Sequence, residues 1–323
     1  MKKLVLIFLA LTLVTSCDNE PLDPAYTNGG EQNGGGNTGG GNTGGGNTGG
    51  GDPNGGNFAL SSYSYDKSVD SGFGVSTIET DFYLNSSGLI GSQSTRVELF
   101  GIIVDGTAPV VRDNNGRIIE TSASDGTNEI STTTITYNGD NIVQINFVDN
   151  QYPEENYTYN LEHNGNIATR TEVGSSVIVT YTFDTNDRLI QRETSSEGTT
   201  VRNETLSYDA NSNLTSTVMT GDGARTFTYT YDDNTNPLKD IFQDFYKLQL
   251  FNDNYDDQIE HWQAFWGSSN NMTSATTPEG SSDLEIVYDT EGRIINRSGS
   301  INSALLNAGS GDITIDEVFN YVN

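Results

Sequence analysis

Strict alternation of apolar and polar residues is the feature that most constrains how this chain of 323 residues folds. Between positions 226 and 231, Phe227, Tyr229 and Tyr231 share one side, and every intervening residue is threonine. The same period of two recurs over 177–183 and 284–288. Side chains of a strand point alternately to the two faces of a sheet, so the pattern predicts antiparallel strands with one covered face and one Thr-rich wet face. The sequence therefore favours an all-β fold.

The predicted strands end in recurrent turns, in which an Asp is followed four residues later by Arg or Asn. These turns begin at Asp113, Asp184, Asp209, Asp232 and Asp289. Such an Asp can accept hydrogen bonds from backbone amides two residues on, and Gly or Asn then supplies a positive φ. The aromatic markers Tyr137, Tyr159, Phe183, Tyr208 and Tyr231 are 22, 24, 25 and 23 residues apart. One period is one hairpin with its return turn, which predicts an up-and-down meander, either open or barrel-like.

One of these turns carries a family resemblance. The segment Tyr288-Asp289-Thr290-Glu291-Gly292-Arg293-Ile294 resembles the YD (RHS-type) repeat. Weaker copies begin at Tyr208-Asp209 and Phe183-Asp184, where Ser212 and Asp187 replace the glycine.

A segment near 237–266 departs from the period of two. Asn236 precedes Pro237 as a helix cap precedes the first helical residue, and apolar residues then follow at helical spacing. This predicts a short helical insertion of two helices over one end of the sheet. Both tryptophans, Trp262 and Trp266, lie in it. Two interpretations stay open: the aromatic stripe covers the hydrophobic face of the sheet, or Trp262 and Trp266 are candidate contacts for a sugar or a protein partner.

The amino terminus predicts export and lipidation. Residues 1–16 join Lys2-Lys3 to an apolar run ending at Val14, which is typical of a secretory signal peptide. Val14-Thr15-Ser16-Cys17 resembles the bacterial lipobox, which implies cleavage before Cys17 and lipidation of this cysteine. Residues 17–57 are rich in Gly, Asn and Thr and cannot bury enough apolar surface to fold, so we predict a flexible tether. The β domain is expected over 58–323.

The combination of a lipobox, a low-complexity tether, YD-like hairpins and a late insertion is similar to uncharacterised Bacteroidota lipoproteins assigned a domain of unknown function with a porin-like fold. The resemblance covers roughly residues 80–323 and implies a β-meander without a known activity. It also implies a location at the outer membrane, facing the cell exterior, with the periplasmic face as the alternative. A true outer-membrane barrel is the rival interpretation, but it requires an outward apolar band, and the second face here is Thr, Ser, Asn and Asp. We therefore predict a domain that stands in water.

The composition of the chain excludes several classes of partner and of chemical site. Fifteen Lys and Arg against 44 Asp and Glu give a formal net charge of −29, which argues against nucleic acid as a partner. Cys17 is the one cysteine and His163 and His261 are the two histidines, so a Cys-based zinc site is excluded and a two-His site would need both. The acidic stretch 252–257 resembles a calcium loop but lacks the Gly and the final acid of an EF-hand. We predict no catalytic residues, no metal site and no cofactor.

These features predict a non-enzymatic lipoprotein, anchored to the membrane by lipid at Cys17, whose β domain is an interaction or structural module. The alternative is a carbohydrate-binding lipoprotein that works with an outer-membrane glycan uptake system through Trp262 and Trp266. A third hypothesis is a hydrolase with an acidic cleft, which would require two carboxylates that face each other across a pocket.

Overall fold

A computed structural model of the chain describes residues 59–70, 75–99, 101–252, 263–302 and 312–322. The predicted signal peptide, Cys17, the tether and most of the calcium-like stretch lie outside the described residues, and those predictions stay untested.

The described residues form eighteen antiparallel strands, as the alternation predicts. The strands are β1 Leu60–Asp70, β2 Val75–Leu84, β3 Ile90–Leu99, β4 Ile102–Arg112, β5 Ile118–Ser124, β6 Glu129–Asn138, β7 Asn141–Asp149, β8 Tyr157–Asn164, β9 Ile167–Glu172, β10 Val177–Phe183, β11 Leu189–Ser196, β12 Thr199–Tyr208, β13 Leu214–Gly221, β14 Arg225–Thr235, β15 Asn270–Thr277, β16 Gly280–Tyr288, β17 Ile294–Asn302 and β18 Asp312–Tyr321. A short 3-10 helix, Pro153–Glu155, lies between β7 and β8.

The meander closes into a barrel. Each strand pairs with the next along the chain, and β18 pairs with β1 in a register that sets Tyr63 opposite Phe319. This last pairing joins segments about 250 residues apart in sequence and leaves no free sheet edge among the paired strands. Of the two predicted forms, open or barrel-like, the barrel is the one observed.

The wall carries most of its apolar side chains on the inner face and mainly polar side chains on the outer face, as predicted, although the inner face also buries charged residues such as Arg297 and Glu317. In β14, Phe227 and Tyr229 are buried, whereas Thr226, Thr228 and Thr230 are exposed. On the neighbouring strands β12 and β13, the outer face carries Asn203, Thr205, Ser207, Ser216 and Thr220. Some apolar residues, among them Val148, Ile178 and Val218, are also exposed.

Five-residue turns gather at one end of the barrel, because connections that follow even-numbered strands of an antiparallel barrel all lie at the same end. We call it the turn end. In the turn 184–188 the backbone amides of Asn186 and Arg188 donate to Asp184 Oδ1 over 2.8 and 3.0 Å, and Arg188 Nε donates to Asp184 Oδ2 over 2.7 Å. The turns at Asp113 and Asp289 repeat this bonding, and in the turn at Asp209 the side chain of Asn213 donates from Nδ2 in place of the Arg. The predicted Asp-led turn geometry is thus present at these four sites.

Three details of the repeat differ from the prediction. Asp232 does not begin a hairpin, since it lies within β14, which leads into the insertion. An additional turn runs from Asn85 to Leu89, with an Asn in the place of the leading Asp. The marker Tyr159 lies in the middle of β8; the equivalent end position belongs to His163, whose Nε2 is 2.7 Å from the carbonyl oxygen of Ile142.

The insertion between β14 and β15 fills the barrel. Its described parts are α1 (Leu238–Ile241), α2 (Phe245–Asn252) and a π-helical turn, Gln263–Gly267. Phe242 contacts Tyr63 of β1, whereas Phe251 contacts Tyr181 of β10, about halfway round the barrel. A segment that reaches opposite walls must lie between them. The helices therefore lie inside the lumen at the turn end, rather than over one end of a sheet as predicted, and we call the described insertion the plug.

Candidate binding cavity at the turn end

The plug is bonded to the backbone of the turns themselves. Beside the turns the strand register shifts by one residue, for example between Thr182 and Phe183, and such a bulge leaves an amide without a partner in the ladder. The amide of Leu189 donates instead to the hydroxyl of Tyr246 in α2, over 2.8 Å. In the same way the amide of Leu214 donates to Ser268 Oγ, over 3.1 Å. The repeat thus supplies donors, and the plug supplies their acceptors.

Polar contacts with several other strands hold the plug from further directions. Arg112 of β4 forms an ion pair with Asp244, between the two helices. Arg170 Nη1 of β9 donates to the carbonyl oxygen of Phe251 over 2.9 Å. These contacts fix α2 against the wall at its carboxyl end as well as at its start.

A buried polar network joins the plug to β1, β17 and β18. Trp266 Nε1 donates to the hydroxyl of Tyr63 over 3.3 Å, and that hydroxyl donates to Glu317. Arg297 Nη2 donates to Glu317 Oε1 over 2.8 Å, and its guanidinium lies 4.4 Å from the ring centre of Phe265. Burial, with the nearby Glu317 carboxylate, raises the pKa of Tyr63 well above its usual value, so the hydroxyl stays protonated. The buried charges are paired, as a stable interior requires.

A cavity of about 760 Å³ lies between the plug and two of the turns. The turns contribute Thr185, Asn186, Asp187, Arg188, Ala210 and Ser212, and the plug contributes Lys239, Phe242, Gln243, Phe245, Tyr246, Gln249, Leu250, Gln263, Trp266 and Gly267. This volume falls within the range of about 300 to 1,000 Å³ that small-molecule sites occupy. The wall combines aromatic rings with side-chain amides.

Each charged side chain of this lining already has a partner. Asp187 pairs with Lys247 at 2.7 Å, and Arg188 pairs with Asp184. Lys239 Nζ donates to Ser269 Oγ over 2.7 Å, and burial lowers the pKa of this lysine. Asp187 and Arg188 are therefore each matched by an opposite charge, whereas the bonding partner of Lys239 is a neutral hydroxyl.

Gln263 is the exception to this internal pairing. Its side chain is 5% exposed and lines the cavity, and its Oε1 accepts no hydrogen bond from any described residue. A buried acceptor left without a donor costs about 1 to 3 kcal/mol. No sequence pattern singled this residue out, because a lone Gln three positions before a tryptophan carries no recognisable spacing.

The predictions for the two tryptophans, which were candidate contacts for a sugar or a protein partner, have different outcomes. Trp266 is 4% exposed, and its ring is stacked on Phe242 with centroids 4.2 Å apart and planes 3° apart. Tyr65 and Phe82 contact it edge-on. Trp266 is therefore part of the core and, although it lines the cavity, it does not offer a free face as an exposed platform would. Trp262 lies outside the described residues, so its role as a contact stays a prediction.

The described residues contain no metal-binding cluster and no membrane-spanning helix. In that part of the chain no group of three or more His, Cys, Asp or Glu side chains is arranged to hold a metal ion. His163 packs edge-on against Phe251 at the end of β8, and His261 falls outside the described part. None of the described helices has the length and apolar character needed to cross a bilayer.

Comparison with known proteins places the chain among distant structural neighbours. The crystal structure of a porin-like protein from Bacteroides uniformis ATCC 8492 matches with a TM-score of 0.45 and 14% identity, over 82% of this chain and 98% of that one. The crystal structure of TcdB2-TccC3-TEV matches with a TM-score of 0.27 and 13% identity, over 73% of this chain and 12% of that one. No protein-family model and no curated protein matches the sequence.

Proposed function

We propose that this protein is a lipid-anchored lipoprotein of the outer membrane, displayed on the cell exterior, whose barrel is a non-enzymatic interaction module standing in water. The observation that carries the proposal is the division of side chains across the barrel wall. Apolar residues point inward onto a bonded plug, and Thr, Ser and Asn dominate outward. A barrel embedded in lipid needs the opposite outer surface, a continuous apolar band.

Anchoring would then depend on the amino terminus alone. The lipobox-like Val14-Thr15-Ser16-Cys17 supplies one lipidated residue, and residues 17–57 supply a tether between lipid and barrel. Acyl chains on Cys17 hold a protein to a bilayer through their buried CH₂ groups, at about 0.8 kcal/mol each. A net charge of −29 offers no attraction to anionic lipid headgroups.

Exchange of the signal tests this proposal. Residues 1–16 are replaced by an ordinary secretory leader together with Cys17→Ala, so that the chain is exported without a lipid, and membranes and soluble fractions are compared. We expect the wild-type protein in the membrane fraction and the exchanged protein free in the periplasm. Ser16→Ala, which keeps a small residue before Cys17, is the matched control and should stay with membranes. An exchanged protein that still needs detergent for extraction would show that the barrel itself inserts into lipid.

The orientation has its own test. Intact cells treated with protease should lose the barrel if it faces outward, while a periplasmic protein inside the same cells is preserved. Protection of the barrel would support the periplasmic face instead.

Carbohydrate binding is the second candidate function, and the cavity at the turn end favours it. The burial of Trp266 removes one of the two rings on which an exposed sugar platform would depend. The cavity provides a different setting, in which aromatic rings and amides surround a ligand.

A further inference from the structure

We propose that the cavity at the turn end binds the carboxylate of a sugar acid, with the Lys239 ammonium and the Ser212 hydroxyl as its donors. This rests on carbohydrate binding, the second candidate function, and names the chemical class of the ligand. It does not depend on where the barrel is anchored.

Lys239 brings to the lining a positive charge that no bonded carboxylate matches. Its Nζ donates to Ser269 Oγ, a neutral acceptor, over 2.7 Å, and no carboxylate of the described residues forms an ion pair with it. The next residue, Asp240, is exposed and does not line the cavity. An ammonium has more than one N–H donor, so the bond to Ser269 leaves donors for a ligand.

The surroundings of Lys239 compensate its charge poorly. Burial lowers the pKa of Lys239, the nearby Asp240 offsets part of this effect, and the positive charge of Arg188 adds to it. Arg188 lines the same cavity and is itself paired with Asp184. An anion beside Lys239 would supply the compensation that the protein does not.

Ser212 supplies a second donor to the cavity. Its Oγ accepts from Arg188 Nη1 over 3.1 Å, and a hydroxyl that accepts a hydrogen bond keeps its own proton to donate. The backbone amide of Ser212 donates to the carbonyl oxygen of Asp209 over 3.2 Å, which fixes the residue in its turn. Because Lys239 and Ser212 line the same cavity, a carboxylate that enters it can accept from both.

The balance of charge favours a ligand with one negative charge. The other charged side chains of the lining, Asp187 and Arg188, are bonded to Lys247 and Asp184 respectively. The ammonium of Lys239 is thus left to be matched, and one carboxylate matches it. A phosphate monoester carries a charge of about −1.5 to −2 at neutral pH, so part of its charge would stay unpaired near Asp187.

The open part of the lining suits a polar body on that carboxylate. Asn186 and Gln243 are exposed and present side-chain amides, whereas the rings of Phe245 and Trp266 are buried. Amides both donate and accept hydrogen bonds, as sugar hydroxyl groups do. The volume of about 760 Å³ exceeds what a bare carboxylate needs and accommodates a sugar ring.

The test is a calorimetric titration of the purified full-length lipoprotein in an uncharged detergent without sugar headgroups. Glucuronate and galacturonate are the probes. Glucose and galactose, which carry CH₂OH in place of the carboxylate on the same ring, are their neutral matches, and acetate is a carboxylate without a ring. We expect saturable binding of at least one uronate with a Kd of about 1 mM or tighter, about tenfold or more below the Kd of its neutral match and of acetate.

Variants of the two donors test the residues. Lys239→Gln should weaken uronate binding about tenfold or more, and Lys239→Arg, which keeps the charge, should bind more tightly than Lys239→Gln. Ser212→Ala should weaken it about fivefold. Arg96→Gln is the matched control, because it removes one positive charge from the outer wall, where Arg96 pairs with Asp105. It should leave the affinity unchanged.

Four outcomes would overturn the proposal: no saturation by either uronate, a neutral match that binds as tightly as its uronate, acetate that binds as tightly, or unchanged affinity in a folded Lys239→Gln protein. If Lys239→Gln fails to fold, Ser212→Ala and the wild-type ratio of uronate to hexose affinity decide. Binding of neutral hexoses with equal strength would reject the carboxylate but retain carbohydrate binding. The signal exchange tests anchoring separately.

Discussion

The guanidinium of Arg117 lies over the ring of Tyr137, with Cζ 4.7 Å from the ring centre. Arg117 also donates from Nε to Asp113 Oδ2 over 2.8 Å, and the Tyr137 hydroxyl donates to the carbonyl oxygen of Ile118 over 2.9 Å. One turn is therefore bonded to the tyrosine that ends the next hairpin. The same relationship joins Arg188 to Tyr208 and Arg293 to Tyr321, at 4.6 and 4.7 Å. The repeated turns stabilise the ring of strands from hairpin to hairpin, as well as closing each hairpin.

Tyr137→Phe tests the contribution of the hydroxyl in this relationship. The variant keeps the ring under Arg117 but leaves the Ile118 carbonyl without its donor, so we expect the free energy of unfolding to fall by about 1 kcal/mol. Burial raises the pKa of Tyr137 to about 12, so the hydroxyl remains a donor across the neutral range and the loss should not vary between pH 6 and pH 9. Urea unfolding followed by circular dichroism measures it.

Tyr83→Phe is the control for this exchange. Tyr83 is 48% exposed on the outer wall, and its hydroxyl is 3.4 Å from Ser94 Oγ. The free energy of unfolding of Tyr83→Phe should lie within about 0.5 kcal/mol of the wild-type value. Equal losses in the two variants would show that the bond between successive hairpins adds nothing to stability.

Gly292→Ala tests the backbone of the turn. Gly292 has φ +79°, and an added Cβ would meet no atom within 4 Å, so the cost of a side chain is conformational alone. We expect a loss of about 1 kcal/mol for alanine. Gly292→Asn should lose less, because Asn tolerates the left-handed region, and Ser212 already holds the equivalent position at φ 69°. Equal midpoints for glycine and alanine in urea would contradict this account.

Sequence periodicity predicted local features of this fold because each depends on neighbouring residues. Phe227 and Thr228 occupy the faces that alternation assigns to them, and the turn at Asp184 adopts the bonding that its residues favour. Leu238 and Leu248 are buried, as the helical spacing of the insertion indicated. Each of these outcomes follows from chemistry within a few positions along the chain.

Closure and the cavity could not be predicted, because both depend on distant segments. Pairing of β18 with β1 uses the same alternation as any other pairing, so an open meander and a barrel have the same local pattern. The cavity wall combines the turn residue Arg188 with Gln263 of the plug, and no spacing connects the two. Trp266 stands out in the sequence by its residue type, whereas the unpartnered acceptor among the residues that line the cavity is Oε1 of Gln263.

Trp266→Leu tests the place of this ring in the core. The variant loses stacking on Phe242 and the bond from Nε1 to Tyr63, and it leaves a void in the plug. We expect the free energy of unfolding to fall by about 2 kcal/mol or more. Tyr83→Leu removes an exposed aromatic ring and should change stability by no more than about 0.5 kcal/mol. A Trp266→Leu protein as stable as the wild type would return Trp266 to the role of a surface contact.

The acidic surroundings of Asp66 should make the stability of the barrel depend on pH. It lies on the outer wall in β1, directly opposite Asp316 of β18 and Glu79 of β2. Burial, followed by repulsion from Glu79, raises the pKa of Asp66 from 3.8 to about 6. A carboxyl with a raised pKa in the folded state is disfavoured there when charged, so its contribution becomes unfavourable as the pH rises from about 4 through about 6.

Asp66→Asn should therefore stabilise the barrel at high pH. Because Asp66 is only partly buried, solvent screens the repulsion, and we expect a gain of about 1 kcal/mol at pH 8 rather than the full value of the shift. At pH 4.5 the wild-type carboxyl is largely protonated in the folded state, so the gain in stability should fall to less than half of its value at pH 8. Asp283→Asn is the matched control, since Asp283 is exposed and faces Ser274 instead of another acid. Urea midpoints at the two pH values measure the difference, and a gain that is equal at both would mean that the carboxylate row on β18, β1 and β2 does not destabilise the fold.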